Sequence, residues 1–278
     1  MTQRRFQQVD VFTEQPYFGN PVAVVLDGHG LTPEAMQRVA NWTNLSETTF
    51  VLPPKDAKAD YHVKIFTPSR ELPFAGHPTL GTCHAWLASG GKPKGAMIVQ
   101  ECAVGLIQIR RDGGRLAFAA PPPRRMEPLD AETLERIASG LRIRRDDILD
   151  HSWCDNGPPW QAVLLRSARQ VLEAAPDIGI LGEMDLGLVG PHPEGPLAFE
   201  VRAFFPVDGS FREDPVTGSL NAALGQWLIA KGHAPARYQA AQGTKLGRRG
   251  RIHIERDGDG QVWVGGQSVT CMTGEVAL

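Results

Sequence analysis

The chain has 278 residues, enough to bury one large core or two ordinary ones. Lys plus Arg number 29 against 31 Asp plus Glu, for a net charge of -2, so there is no basic excess to hold nucleic acid or an anionic membrane. The 4 cysteines stand far apart with no C-x-x-C pair, and the 8 histidines show no H-E-x-x-H or His/Cys cluster, so no disulfide framework and no metal site is expected.

The opening "MTQRRFQQVD" lacks an apolar h-region, and runs such as "PVAVVL" fall far short of the roughly 20 residues needed to cross a bilayer. A cytoplasmic protein is expected. "FQQVDVF" and "PVAVVL" alternate apolar and polar residues around Gly19-Asn20-Pro21, as a strand pair would. A helix follows, with Thr32 as N-cap, Pro33 at its first position and Met36, Val39 and Ala40 as its apolar stripe. "TTFVL" then returns to strand chemistry, which places Glu47 of "NLSETTFV" at a helix-to-strand junction.

Two distant stretches look alike. "FTPSRELPFAG" (66–76) and "FFPVDGSFRED" (204–214) both open on Phe-x-Pro, and each is followed by a helix-like segment, "HPTLGTCHAWLASGG" or "PVTGSLNAALGQWLIAKG". In this register Thr79 corresponds to Thr217. A second match follows each helix: "GLIQIRRDGGRLAF" and "GRIHIERDGDGQVWV" both alternate about an Arg-Asp-Gly turn, the pattern of a hairpin. Two duplicated halves are therefore expected, an N-terminal lobe at 1–120 and a C-terminal lobe at 125–267, with 268–278 a last strand that can return to the first. The break falls in "AAPPPRRMEPLD", whose Pro run forbids regular structure, and "DAETLERIASGL" restarts a capped helix like the one in the first half. "GLVGPHPEGP", near residue 190, reads as a surface loop.

In each half a strand passes through a loop into a helix, whose first turn contains Gly76-His77-Pro78-Thr79 or Thr217-Gly218-Ser219. The first N–H groups of a helix have no internal partner and carry the positive end of its dipole, so they attract carboxylates or phosphates. Gly76 and Gly218 let a ligand approach the main chain. Nucleotide and hydrolase motifs fail on single residues. "GHPTLGTC" has Thr82 where a phosphate loop needs Lys, and Asn221 in "TGSLN" breaks the G-x-S-x-G elbow. No G-x-G-x-x-G opens a helix after a strand, which leaves chemistry without a cofactor.

"GNPVAVV", "NLSETTFV", "FTPSRELPFAGHPTLG" and "EDPVTGSLNAALGQWL", in this order across most of the chain, resemble the PhzF-like phenazine-biosynthesis isomerases, relatives of diaminopimelate epimerase. The resemblance implies an α+β fold of two pseudo-symmetric lobes, each a barrel-like, mostly antiparallel sheet around a central helix, with the active site in the cleft between them. It also implies that Glu47 is the acid/base that takes a proton from one substrate carbon and returns it to another. His77 and Asp214 join it as catalytic residues, with Gly76, Thr217, Gly218 and Ser219 binding substrate. In the epimerase relatives a cysteine from each half serves as acid/base at the positions of Gly76 and Asp214. Neither is Cys here, so two-thiol racemisation is not expected.

A proton is taken from carbon at neutral pH by a base whose pKa is raised, and a carboxylate in an apolar cleft is raised by desolvation. Phe50, Phe74 and the helix ends are candidates for lining such a cleft. The expected activity is a cofactor-independent isomerase acting on a small carboxylic acid, of the trans-2,3-dihydro-3-hydroxyanthranilate isomerase type, with a homodimer compatible. Two alternatives stay open: a non-catalytic small-molecule-binding or protein-interaction member of the fold, and a cofactor-free epimerase. Duller roles stay open too, Glu47 and Asp214 as local caps and His77 as a donor at a helix start. His84 reads as structural.

Overall fold

The alternating stretches at the N-terminus form β1 (Gln3–Val11) and β2 (Asn20–Val25), paired antiparallel with Val11 opposite Asn20. This is a computed structural model describing residues 2–207 and 209–278, and it divides into two units, Met1–Ala119 with Gly265–Leu278, and Ala120–Val264.

In the first unit, α1 (Pro33–Thr43) carries the chain from β2 to β3 (Glu47–Leu52), which runs parallel to β2. Thr32 caps α1 by accepting from the Ala35 N–H at 3.3 Å, and Asn44 ends it in the left-handed region. β4 (Tyr61–Phe66) pairs antiparallel with β3, and β5 (Glu71–Leu72) folds back on β4 as a hairpin. After α2 (Gly76–Ala88), β6 (Ile98–Cys102) pairs parallel with β4, then β7 (Gly105–Asp112) and β8 (Arg115–Ala119) follow antiparallel. The two-residue turn between β7 and β8 is Gly113-Gly114, both at positive φ, as a tight hairpin requires. The chain's last strand, Ser268–Ala277, pairs with β1.

The second unit repeats the order. After α3 (Ala131–Leu141) come β9 (Ile148–Asp155) and β10 (Pro159–Leu165), paired antiparallel. Then α4 (Ala168–Glu173) and α5 (Ile178–Leu181) lead to β11 (Leu186–Pro191), parallel to β10. β12 (Phe199–Val207) is antiparallel to β11, and β13 (Ser210–Glu213) is its hairpin partner. α6 (Gly218–Ala230) precedes β14 (Arg237–Gln242), parallel to β12, and β15 (Gly250–Arg256) is antiparallel to β14. β16 (Val262–Gly266) and β17, the last strand already described, complete the chain.

α2 and α6 have 13 residues each, most of them buried, as befits a helix enclosed by its sheet. Small residues let the strands come close: a Cβ on Gly81 would meet Val22 Cγ1 at 2.3 Å, and one on Gly225 would meet Ile254 Cγ2 at 2.8 Å. Helices α1 and α3 instead cover the outer side of their sheets. Met36 and Ala40 pack with Val25, Phe50 and Phe66, while Leu134, Ile137 and Leu141 pack with Ile148, Val163 and Leu188.

Four expectations need correction. Thr79 does not correspond to Thr217: α2 begins at Gly76 and α6 at Gly218, so Thr79 lies inside its helix, whereas Thr217 is an N-cap. The Phe-x-Pro hairpins do match, Phe66 pairing with Glu71 and Phe204 with Glu213, so that Leu72-Pro73-Phe74-Ala75 in the first half stands where the second has Asp214-Pro215-Val216-Thr217, and the longer second hairpin accounts for the offset. α3 is no counterpart of α1, because it precedes β9, and the β10–β11 crossover is made by α4 and α5. "GLVGP" is not loop but most of strand β11; its glycines admit close neighbours, a Cβ on Gly187 meeting Leu220 Cδ1 at 2.7 Å and one on Gly190 meeting the Ser167 carbonyl at 2.5 Å. Phe50 does not share the face of Glu47, because side chains alternate along β3 and Phe50 points to the α1 core.

Candidate functional site

The candidate residues fall in two groups, one in each unit. In the first unit, alternation turns Asn20 and Val22 of β2, and Glu47 and Thr49 of β3, toward α2. Val22 meets Gly81, and Thr49 accepts from the Thr82 hydroxyl at 2.8 Å, so both strands lie along the helix. One turn earlier on α2, His77 therefore meets the beginnings of both strands. Its Nε2 lies 3.2 Å from Glu47 Oε2, and its Nδ1 lies 3.4 Å from Asn20 Nδ2.

His77 is 4% exposed, and Glu47 is 15% exposed at its side chain. Burial pushes the imidazole down to about 3, outweighing the opposite effect of its bond to the Pro21 carbonyl. The ring is therefore neutral at physiological pH, and the contact is a carboxylate beside an uncharged imidazole. A neutral ring adds no positive charge beside the carboxylate and so does not hold it in the ionised form. Gly76 and His77 open α2 with N–H groups that precede any intrahelical carbonyl, and Pro78 contributes none. Glu47 thus sits by the positive end of a buried helix.

The helix is braced further in. Thr79 Oγ1 donates to the Ala75 carbonyl at 2.9 Å and accepts from Gln100 Nε2 at 3.0 Å, and Gln100 Oε1 accepts from the Tyr61 hydroxyl at 3.1 Å. Phe74 packs edge-on against Phe118, 5.6 Å between ring centres. Cys83 is buried in α2, where desolvation pushes its thiol up to about 12, a poor acid/base for neutral pH. His84 reaches Thr270 Oγ1 at 3.0 Å.

In the second unit, Asp214, Thr217, Gly218 and Ser219 stand together at the start of α6. The Asp214 N–H donates to the Ala203 carbonyl at 3.0 Å, and Asp214 Oδ2 accepts from the Thr217 hydroxyl at 2.6 Å. Ser219 is engaged inside the unit: its hydroxyl accepts from Trp160 Nε1 at 3.1 Å and its carbonyl from Asn156 Nδ2 at 2.9 Å. What Gly218 and Ser219 offer a ligand is the backbone N–H groups of the first turn. Beside Asp214, Glu213 holds Arg202 through two bonds of 2.9 and 2.7 Å. Among the described residues no three His, Cys, Asp or Glu side chains converge as metal ligands, and no helix is long and apolar enough to cross a membrane.

The sequence reading passed over Asn20, Gln100, Asn156, Trp160 and Gln242. Asn20 lay in the quoted "GNPVAVV", and its place just before an apolar alternation was a usable signal. Gln100 and Gln242 were also visible as polar residues at inward positions of alternating strands.

The model of the phenazine biosynthesis-like protein family, PhzC-PhzF, matches residues 9–274. Antisense-enhancing sequence 1 of Schizosaccharomyces pombe is 36% identical over 99% of both chains. The trans-2,3-dihydro-3-hydroxyanthranilate isomerase of Pseudomonas aeruginosa is 32% identical over 92% of both. Among solved structures, the PhzF-family phenazine biosynthesis protein of Bacillus anthracis superposes with a TM-score of 0.83 over 100% of both chains, at 23% identity. With the family model matched over nearly its whole length and named isomerases among its relatives, this α+β chain belongs to the PhzC-PhzF phenazine biosynthesis-like family and is an isomerase.

Proposed function

We propose that the protein moves a proton between carbons of a small carboxylic acid without a cofactor, with Glu47 as the group that takes and returns the proton. The observation that carries this is the contact of Glu47 with a neutral, buried His77 at the first turn of α2. A shuttling carboxylate alternates between ionised and protonated forms within one turnover. A fixed cation beside it would favour only the ionised form; a neutral imidazole brings no charge that would hold the carboxylate in that form. The N–H groups of Gly76 and His77 suit a substrate carboxylate or the charge that develops next to it. Asp214 is the second acid of the proposal, orienting substrate or relaying a proton, with Thr217, Gly218 and Ser219 as its substrate-binding neighbours. The Pseudomonas aeruginosa relative's name makes trans-2,3-dihydro-3-hydroxyanthranilate the first acid to try.

The test incubates that acid and related unsaturated and cyclic acids with protein in deuterated water, and follows label at each carbon by NMR. Label is expected at a carbon other than the one that lost its proton, and Glu47→Gln is expected to slow its entry by about 10²- to 10⁴-fold. Label at the original carbon with inverted configuration would make the protein an epimerase. Unchanged entry in Glu47→Gln would remove that residue from the role.

A further inference from the structure

We propose that Gln242 is a positioning residue, holding the Asp214 carboxylate in place through the hydroxyl of Thr217. The inference rests on the reading of Asp214 as a working acid of this isomerase. Gln242 ends β14 and is fully buried, at 0% exposure. Its Nε2 donates to Thr217 Oγ1 at 2.8 Å and to the Asp214 carbonyl at 3.2 Å, while its Oε1 accepts from the Thr217 N–H at 3.0 Å and from Asn221 Nδ2 at 2.8 Å.

Every hydrogen and lone pair of the amide is used, and only one orientation allows it. Turned over, the NH2 group would face the Thr217 N–H and the Asn221 NH2, donor against donor. This orientation decides what Thr217 does. A hydroxyl has one proton, and with Gln242 N–H occupying the oxygen, that proton points along the remaining contact, to Asp214 Oδ2 at 2.6 Å. The acid is held by a chain of donors that begins in the core of the unit.

The first half shows that this arrangement is specific to the second. Continuing the β4–β6 register, in which Tyr61 faces Gln100, the position matching Gln242 opposite Val201 is Cys102. Gln100, two residues earlier on the same face, braces Thr79 inside α2. Gln242 lies one pleat further on and reaches the Asp214–Thr217 segment, where the first half has Leu72 and Ala75 in place of the aspartate and the threonine and so no carboxylate or hydroxyl to hold. A leucine would fill the buried space, so the polar amide is explained by the segment it serves.

The test uses full-length protein with 13C-labelled aspartate, the Asp214 carboxyl resonance being assigned with Asp214→Asn. Thr217→Val and Gln242→Leu are each expected to displace that resonance at neutral pH, and Gln242→Leu is expected to add no further displacement in the Thr217→Val background. A residue that merely fills the core would add its effect in both backgrounds, so equal displacements there overturn the proposal. A resonance unmoved in Gln242→Leu overturns it as well. Gln242→Met, similar in length and without a donor, gives the same comparison if the leucine variant does not fold. Because the readout needs no turnover, an inactive protein with this coupling intact would sink the proposed reaction alone, and an active one without the coupling would sink the positioning role alone.

Discussion

Glu47 Oε2 stands 3.2 Å from His77 Nε2, and the imidazole between Glu47 and Asn20 is too deeply buried to carry a charge at neutral pH. The separation is that of an ion pair, but the chemistry is that of a neutral neighbour. Holding a histidine neutral has a consequence for folding that can be measured.

Above pH 6.5 the ring is neutral in both the folded and the unfolded chain and contributes no pH dependence. As pH falls below that, the unfolded chain binds a proton that the folded one refuses until about pH 3, so stability declines by up to about 1.4 kcal/mol per unit. His77→Gln removes this contribution. In urea titrations from pH 7 to pH 4, the native protein is expected to lose about 2–3 kcal/mol more than the variant. Equal losses would mean that the ring is protonated in the folded state.

Gly81 is where α2 touches β1 and β2, and a Cβ there would meet Val22 Cγ1 at 2.3 Å and Val11 Cγ2 at 2.9 Å. Gly81→Ala is expected to destabilise the protein by about 1–3 kcal/mol through overpacking, although alanine is the better helix former. The midpoint of urea unfolding measures it, and a stabilised variant would contradict the close packing described.

Arg202 and Glu213 are 7% and 9% exposed, and the arginine also donates to the carbonyls of Val171 and Ala174 at 3.1 and 2.6 Å. Arg202→Met strands a buried carboxylate and takes a donor from both carbonyls, at an expected cost of about 3–5 kcal/mol. Glu213→Gln keeps an acceptor for the guanidinium and should cost less. Denaturant unfolding of the two variants gives the order, and the reverse order would show that the carbonyl contacts contribute little.

Cys83 and Cys154 are buried and desolvation raises both thiols, whereas Cys271 is only partly covered. Iodoacetamide at mild alkaline pH should label Cys271 first, with Cys83 and Cys154 modified only as fast as the protein opens. Peptide mass spectrometry over time separates these rates, and early labelling of Cys83 would show that α2 is open to solvent.

What the amino-acid order determined unaided was local. Thr32 and Pro33 begin α1, Gly113-Gly114 turns β7 into β8, and the repeated Phe-x-Pro stretches, each followed by a helix, are written as patterns of neighbouring residues. Caps, turns and periodicity depend on interactions within a few positions, so one sequence suffices to read them. Local reading also misled: glycine and proline in "GLVGP" look like breakers, yet in β11 the missing side chains admit Leu220 and the Ser167 backbone.

The relations between distant residues were decided by the tertiary structure. Glu47 and His77 meet because β3 lies parallel to β2 with Glu47 opposite Val22, and α2 runs along both strands. The same register sends Phe50, three residues after Glu47, to the opposite face. Gln242 reaches Asp214 only because β14 pairs with β12 across α6, far away in the chain. Strand register and helix placement are set by the sum of many weak packing contacts, and no single stretch of sequence carries that sum.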